Sequence, residues 1–253
     1  MQSARRADYL LTIGIDLWVP RHGPQGPVIA DSRPDAEPES AAPTPPMGAA
    51  PSALGFPPSV EAQWEALRTE VRECTRCPLH QSRTQGVLGV GNRKADWMVI
   101  GEAPGAEEDR RGEPFVGRAG QLLDAMLRSI GLSRATNVYI ANILKSRPPG
   151  NRDPKPEEVQ ACLPYLHRQI ELVGPKVLLA VGRIAAQTVL SSDAPLARLR
   201  GRVHHFGERN TPLVVTYHPA YLLRSPADKR KAWEDLKFAR SVMAGLQNNG
   251  DRT

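Results

Sequence analysis

Three cysteines, Cys74, Cys77 and Cys162, are the first residues in this chain whose type and spacing point to chemistry. Cys74-x-x-Cys77 is a spacing suited to metal or redox work. The odd count argues against a disulfide framework. A second group is acidic. Glu102, Glu107, Glu108 and Asp109 crowd into eight residues behind an apolar run. They offer carboxylates for a reaction, and they equally suit the N-terminus of a helix or a solvated loop. Asn142 closes another apolar run, and His218 follows a third and precedes Pro219. Either residue could also be an ordinary strand-end or turn residue. Phe115 lies between Gly112 and Gly117. A glycine-bounded loop is a poor place for a core aromatic, although a simple hydrophobic plug would also account for it.

These residues need elements that bring them together. Four apolar segments, 97–101, 138–142, 177–182 and 213–217, read as buried strands. Amphipathic patterns over 119–130, 156–172 and 183–190 read as helices between them. Further helices are expected over 60–72 and 227–243. Strands alternating with helices predict an α/β fold: a three-layer α/β/α sandwich around a mostly parallel, four-stranded sheet. In such sheets ligands bind at the carboxyl edge of the strands. Glu102, Asn142 and His218 all follow strand ends, so they should meet there. GVLGVG at 86–91 does not fit a dinucleotide-binding fingerprint, because no clear strand precedes it and no clear helix follows.

Four motifs now occur in order. Cys74-x-x-Cys77 comes first. GEAPGAEEDRRGEPFVGRAGQLLD (101–124), NILKSRPPGNRDP (142–154) and HPAYLL (218–223) follow. Together they resemble the family 4 uracil-DNA glycosylases of bacteria, over roughly residues 71–239. The resemblance implies hydrolysis of the N-glycosidic bond of deoxyuridine in DNA, releasing uracil and leaving an abasic site. Such an enzyme flips its base into a pocket. By motif position, Phe115 stacks on the uracil ring and Asn142 reads its edge. Asn142 can accept from N3–H and donate to O4, a pattern that cytosine inverts. His218 donates to O2 as negative charge builds there. The backbone of Gly101, Glu102 and Ala103 lines the pocket. Glu108 is the first choice among the carboxylates to act on the sugar cation or position water, with Asn151 as water partner. Leu222, Leu223 and Arg224 would fill the gap left by the flipped base, with Lys229, Arg230 and Lys231 on phosphates. The alternative for these leucines is that they start the last helix. No lysine is placed as a Schiff-base nucleophile, which implies a monofunctional enzyme.

The family also carries a [4Fe–4S] cluster on four cysteines. Cys74, Cys77 and Cys162 match three positions, whereas the fourth is Ser146 in Lys145-Ser146-Arg147-Pro148-Pro149. A serine oxygen is a harder, less apt ligand. Three outcomes are open: Ser146 ligates as an alkoxide, three cysteines hold an incomplete or solvent-ligated cluster, or no cluster forms.

Charge separates the chain into two parts. Residues 1–55 hold four Arg against six Asp and Glu, leaving 29 basic against 21 acidic residues in the remainder. A basic domain suits a polyanion, and a solvated basic surface explains the same numbers. Residues 23–58, rich in Pro, Ala, Gly and Ser, read as a disordered linker. The glycosylase-like domain should then span 59–247, with a disordered tail over 248–253. Within the peptide 1–22, residues 5–21 resemble the clamp-loader-binding peptide of the psi subunit of DNA polymerase III. A chance likeness is the alternative. No run is apolar enough for a membrane span, and no signal-peptide cleavage site stands out. A cytoplasmic monomer acting on uracil-containing DNA is expected. A uracil- or abasic-DNA-binding module with little catalysis is the second reading. A relative that forms a covalent DNA adduct ranks third, because no histidine-bearing basic insertion follows GEAPG.

Overall fold

The computed structural model describes residues 59–250, with side chains through 248. The expected clamp-loader peptide and the linker lie outside the described residues, as does the tail beyond 250. Residues 248–250 are described as the end of the last helix rather than as tail.

Among the described residues six strands form one sheet. In chain order they are β1 (Val90–Gly91), β2 (Trp97–Gly101), β3 (Val138–Asn142), β4 (Val177–Val181), β5 (His204–Phe206) and β6 (Thr211–Thr216). Their spatial order is β1-β3-β2-β4-β6-β5. The four inner strands are parallel, and β1 and β5 add antiparallel edges. The inner four are the strands expected from the sequence. The two edges are additional, and they were illegible for a physical reason. Two or three half-exposed residues carry neither an apolar run nor an alternation.

Each of β2, β3 and β4 is buried along its whole length, as a parallel sheet covered on both faces requires. Alternate residues divide between two cores. Met98, Ile100, Leu178 and Ala180 face one side. There they pack with α1 (Val60–Glu73), α4 (Pro156–Val173) and α5 (Arg183–Leu190). Trp97, Val99, Val177 and Leu179 face the other, against α3 (Arg118–Ser129), α7 (Pro219–Arg224) and α8 (Lys229–Gly250). The three-layer sandwich is therefore present. Two short helices, α2 (Ala106–Arg111) and α6 (Leu196–Leu199), complete the set. Together with α7 they escape periodicity because none reaches two full turns. The last helix begins at Lys229 and continues past the expected end at Met243.

Candidate active site

The carboxyl ends of β2, β3 and β6 open into a cavity of about 390 Å³. Glu102, Phe115, Asn142, Asn151, His218 and Arg224 line it, together with Ala103 and Glu108. Glu102, Asn142 and His218 thus meet at the edge where the strand-end argument placed them, and Phe115 and Asn151 join them there.

Gly101 ends β2, and a Cβ there would lie 2.3 Å from the Asn142 Oδ1 and 2.7 Å from the Phe115 ring. Only glycine lets these two side chains converge on the strand end. Asn142 is buried, and its Oδ1 has no hydrogen-bond partner among the described residues. An unpaired buried acceptor costs about 1–3 kcal/mol. It is a strained arrangement for a resting protein and a prepared one for a ligand donor. Phe115 adopts φ +54°, in the left-handed region that non-glycine residues seldom visit. Its ring lies 5.6 Å from that of His218, tilted by 32°.

The strained Phe115 loop is held from two sides. The Glu108 Oε1 accepts the backbone N–H of Val116 at 3.0 Å and of Gly117 at 3.1 Å. Its Oε2 accepts the N–H of Gly105 at 3.1 Å. Both carboxylate oxygens are therefore engaged in joining the GEAPG turn to the Phe115 loop, which is the capping role left open by the sequence. On the other side Arg134 donates to the carbonyls of Pro114 (3.1 Å) and Phe115 (2.8 Å) while pairing with Asp124 (2.8 Å). Arg134 carried no sequence signal, since it stands nineteen residues from the carbonyl that it binds. Asp109, the last member of the acidic run, is buried and accepts the N–H groups of Thr84 and Gln85. Glu107 pairs with Arg110 on the surface.

Glu102 differs from its neighbours, because among the described residues no hydrogen bond holds its carboxylate. Burial, reinforced by the charge of Asp153 and opposed by Arg183, pushes its pKa up to about 7. It is poised to exchange a proton near neutrality.

His218 caps α7. Its Nδ1 accepts the N–H of Ala220 at 3.1 Å, so the ring proton sits on Nε2. Burial lowers its pKa to about 4, with Arg224 adding to the effect and Glu108 opposing it. The imidazole is thus neutral at physiological pH and keeps one N–H for a ligand. Gly182 (φ +98°) permits this packing, since a Cβ there would sit 2.9 Å from that of His218.

Asn151 stands at the rim with φ +54° and accepts from the Arg147 Nε at 2.7 Å. Arg152 beside it forks onto the buried Glu158 carboxylate at 2.9 and 2.5 Å. One expectation needs correction. Leu222 is fully buried in the core beneath α7, so it has no side chain to offer DNA. A six-residue helix turns Leu222 inward and leaves Leu223 half-buried and Arg224 exposed.

The cysteines gather beside α1 and α4. Cys77 and Cys162 are buried and Cys74 is half-buried; burial, with Cys74 adding to it, pushes the Cys77 thiol up, and burial, with Cys77 and Cys74 adding, does the same for Cys162. Among the described residues no three His, Cys, Asp or Glu side chains adopt the geometry of a metal site. Ser146 is also buried, but its Oγ accepts from Arg83 at 2.8 Å. That guanidinium also binds the carbonyls of Arg72 and Cys74. Three thiols suit a soft iron–sulfur group. The fourth position, a hydroxyl engaged by a cation, does not.

Residues 88–237 match the Uracil DNA glycosylase superfamily. A type-4 uracil-DNA glycosylase of Archaeoglobus fulgidus is 45% identical over 66% of this chain and 87% of its own length. One from Thermotoga maritima is 41% identical over 72% of this chain and 96% of its own. A type-5 uracil-DNA glycosylase of Pyrobaculum aerophilum is 36% identical over 52% of this chain and 64% of its own. With that coverage, and with its strand-end motifs gathered around one cavity, the chain belongs to the type-4 uracil-DNA glycosylase family.

Proposed function

We propose that this protein removes uracil from DNA by hydrolysing its N-glycosidic bond, leaving an abasic site for repair. The observation that carries this reading is the buried, unpartnered Asn142 Oδ1 facing Phe115 at the end of β3. An acceptor left without a partner calls for a ligand N–H. Uracil N3–H supplies one, and cytosine presents an acceptor there instead. Phe115 supplies the stacking face. His218, neutral with its proton on Nε2, donates to O2 as the departing base gains charge.

On the sugar side the geometry favours Glu102 over Glu108. The oxygens of Glu108 are occupied by three backbone N–H groups, making it a positioning residue. Glu102 is free, lines the cavity and ionises near neutrality. As a carboxylate it would stabilise the sugar cation or accept a proton from attacking water. Asn151 at the rim is a candidate to hold that water. Leu223 and Arg224 remain for contact with the DNA, with Lys229, Arg230 and Lys231 following on α8.

Cys74, Cys77 and Cys162 would hold an iron–sulfur group whose contribution is to tie the end of α1 to α4. No step of base removal depends on it. We place the enzyme in the bacterial cytoplasm as a monomer.

The decisive experiment is cleavage of an oligonucleotide carrying one uracil, followed by alkali, beside a thymine control. Uracil-dependent breakage that Asn142→Ala and His218→Ala both cripple is the expected result. Binding of uracil-DNA by folded protein without breakage would replace this reading with that of a binding module.

A further inference from the structure

Lys145 is fully buried, yet it lines neither the cavity nor any ion pair. A buried amine, charged or neutral, needs acceptors for its N–H groups. Here there are two acceptors. Its Nζ donates to the backbone carbonyl of Asn142 at 2.6 Å and to the Gln169 Oε1 at 2.5 Å. Gln169 is itself buried and fixed in orientation. Its Nε2 donates to the Leu88 carbonyl (2.8 Å) and the Tyr139 hydroxyl (3.1 Å). The amide must therefore turn its oxygen toward the Lys145 Nζ. Lys145 is anchored at its other end too, since its backbone N–H approaches the Cys162 Sγ at 3.5 Å and its carbonyl accepts from Val87 at 2.8 Å.

The side chain of Asn142 has no such anchor, because its Oδ1 is unpartnered. Its aim is set by packing against Gly101 and Phe115 and by the main chain that carries it. That main chain is at the last residue of β3, and beyond it the N–H groups of Ile143 and Leu144 still donate to the carbonyls of Gly101 (2.9 Å) and Glu102 (3.0 Å), so the Lys145 bond adds a third tie at the Asn142 carbonyl. The Lys145 Nζ donates to the carbonyl of this residue and to no other in the pocket.

We propose that Lys145 is a positioning residue for base recognition, holding the end of β3 so that the Asn142 amide points at the uracil edge. The role rests on the functional reading above, and deepens it. Lys145 touches no substrate. It acts through Asn142, and Gln169 orients it.

A double-mutant cycle tests this. Lys145→Met is combined with Asn142→Ala and, separately, with His218→Ala. The readouts are single-turnover release of uracil and the Kd for duplex DNA bearing 2′-fluoro-2′-deoxyuridine. This analogue resists cleavage, so even a very slow variant yields a number. Lys145→Met should weaken binding about 10-fold in the natural background and less than about 2-fold beside Asn142→Ala. Beside His218→Ala the loss should remain about 10-fold. Equal losses in all three backgrounds would mean general structural damage and would overturn the proposal. If Lys145→Met does not fold, Gln169→Met loosens the same Nζ and must show the same dependence on Asn142. An inactive natural protein would overturn the functional reading itself. An active one with an additive cycle would overturn only the role of Lys145.

Discussion

The Nδ1 of His218 accepts the backbone N–H of Ala220 at 3.1 Å, and this bond decides which proton the imidazole can offer. The remaining N–H is on Nε2, beside the cavity. A pre-aimed donor in a dry site contributes about 3 kcal/mol to the transition state. His218→Ala should therefore lower kcat by roughly 10²-fold with a smaller effect on KM. A large KM increase with kcat preserved would remove His218 from that role.

The same residue should leave a mark on stability. Its pKa is about 4 in the folded protein, below its ordinary value of 6.5. The unfolded chain then binds the proton more readily between those two values. The stabilisation is full above pH 6.5 and is lost as pH falls toward 4, amounting to roughly 3 kcal/mol. Thermal unfolding followed from pH 7 to 4 should show a shallower decline for His218→Gln than for the natural protein. Parallel declines would contradict the neutral, buried imidazole.

Glu102 makes an opposite use of burial. A carboxylate needed in its ionised form, with a pKa of about 7, gives a rate that rises with pH through about 7. Asp153 raises that value and Arg183 lowers it. Asp153→Asn should consequently move the midpoint of kcat against pH downward, and Arg183→Gln should move it upward. Glu102→Gln should abolish the rise. A midpoint indifferent to all three substitutions would exclude Glu102 as the ionising group.

These residues show what a sequence can and cannot disclose. The inner strands were legible because β2, β3 and β4 are unbroken apolar runs, and their ends located Glu102, Asn142 and His218 in one place. What each side chain does there was not legible. Glu108 and Glu102 are both glutamates of one motif, and only the count of hydrogen bonds separates a loop staple from a free carboxylate. Leu222 and Leu223 are adjacent and identical in type, but a short helix sends the first into the core. Arg134 and Lys145 act on main-chain carbonyls, which have no letter in a sequence.

Glu108 can be tested as a staple rather than a reactant. Glu108→Gln replaces one oxygen with an amide that cannot accept, leaving at least one of three N–H groups unpaired. The stability cost should be about 1–3 kcal/mol, read from denaturant unfolding. Because the Phe115 loop is loosened, KM should rise while the pH midpoint of kcat stays in place. A shifted or lost midpoint would instead make Glu108 the ionising group.

The fourth ligand position offers the last test. Ser146 Oγ is held by Arg83, whose guanidinium also grips the carbonyls of Arg72 and Cys74. These bonds join the segment after β3 to the end of α1 without a metal. The staple should bear load, so Arg83→Met should lower the Tm by several degrees even in protein stripped of iron by chelation. Ser146→Cys replaces the hard oxygen with a thiol beside three others, completing a set that soft iron prefers. Anaerobically purified Ser146→Cys protein should hold more iron and sulfide per chain than the natural protein. It should also lose less stability from Arg83→Met, because a fourth thiolate would share the joining role. Equal iron content in the two proteins would mean that the serine position does not limit cluster binding. An Arg83→Met protein as stable as the natural one would mean that the segments are joined by other contacts.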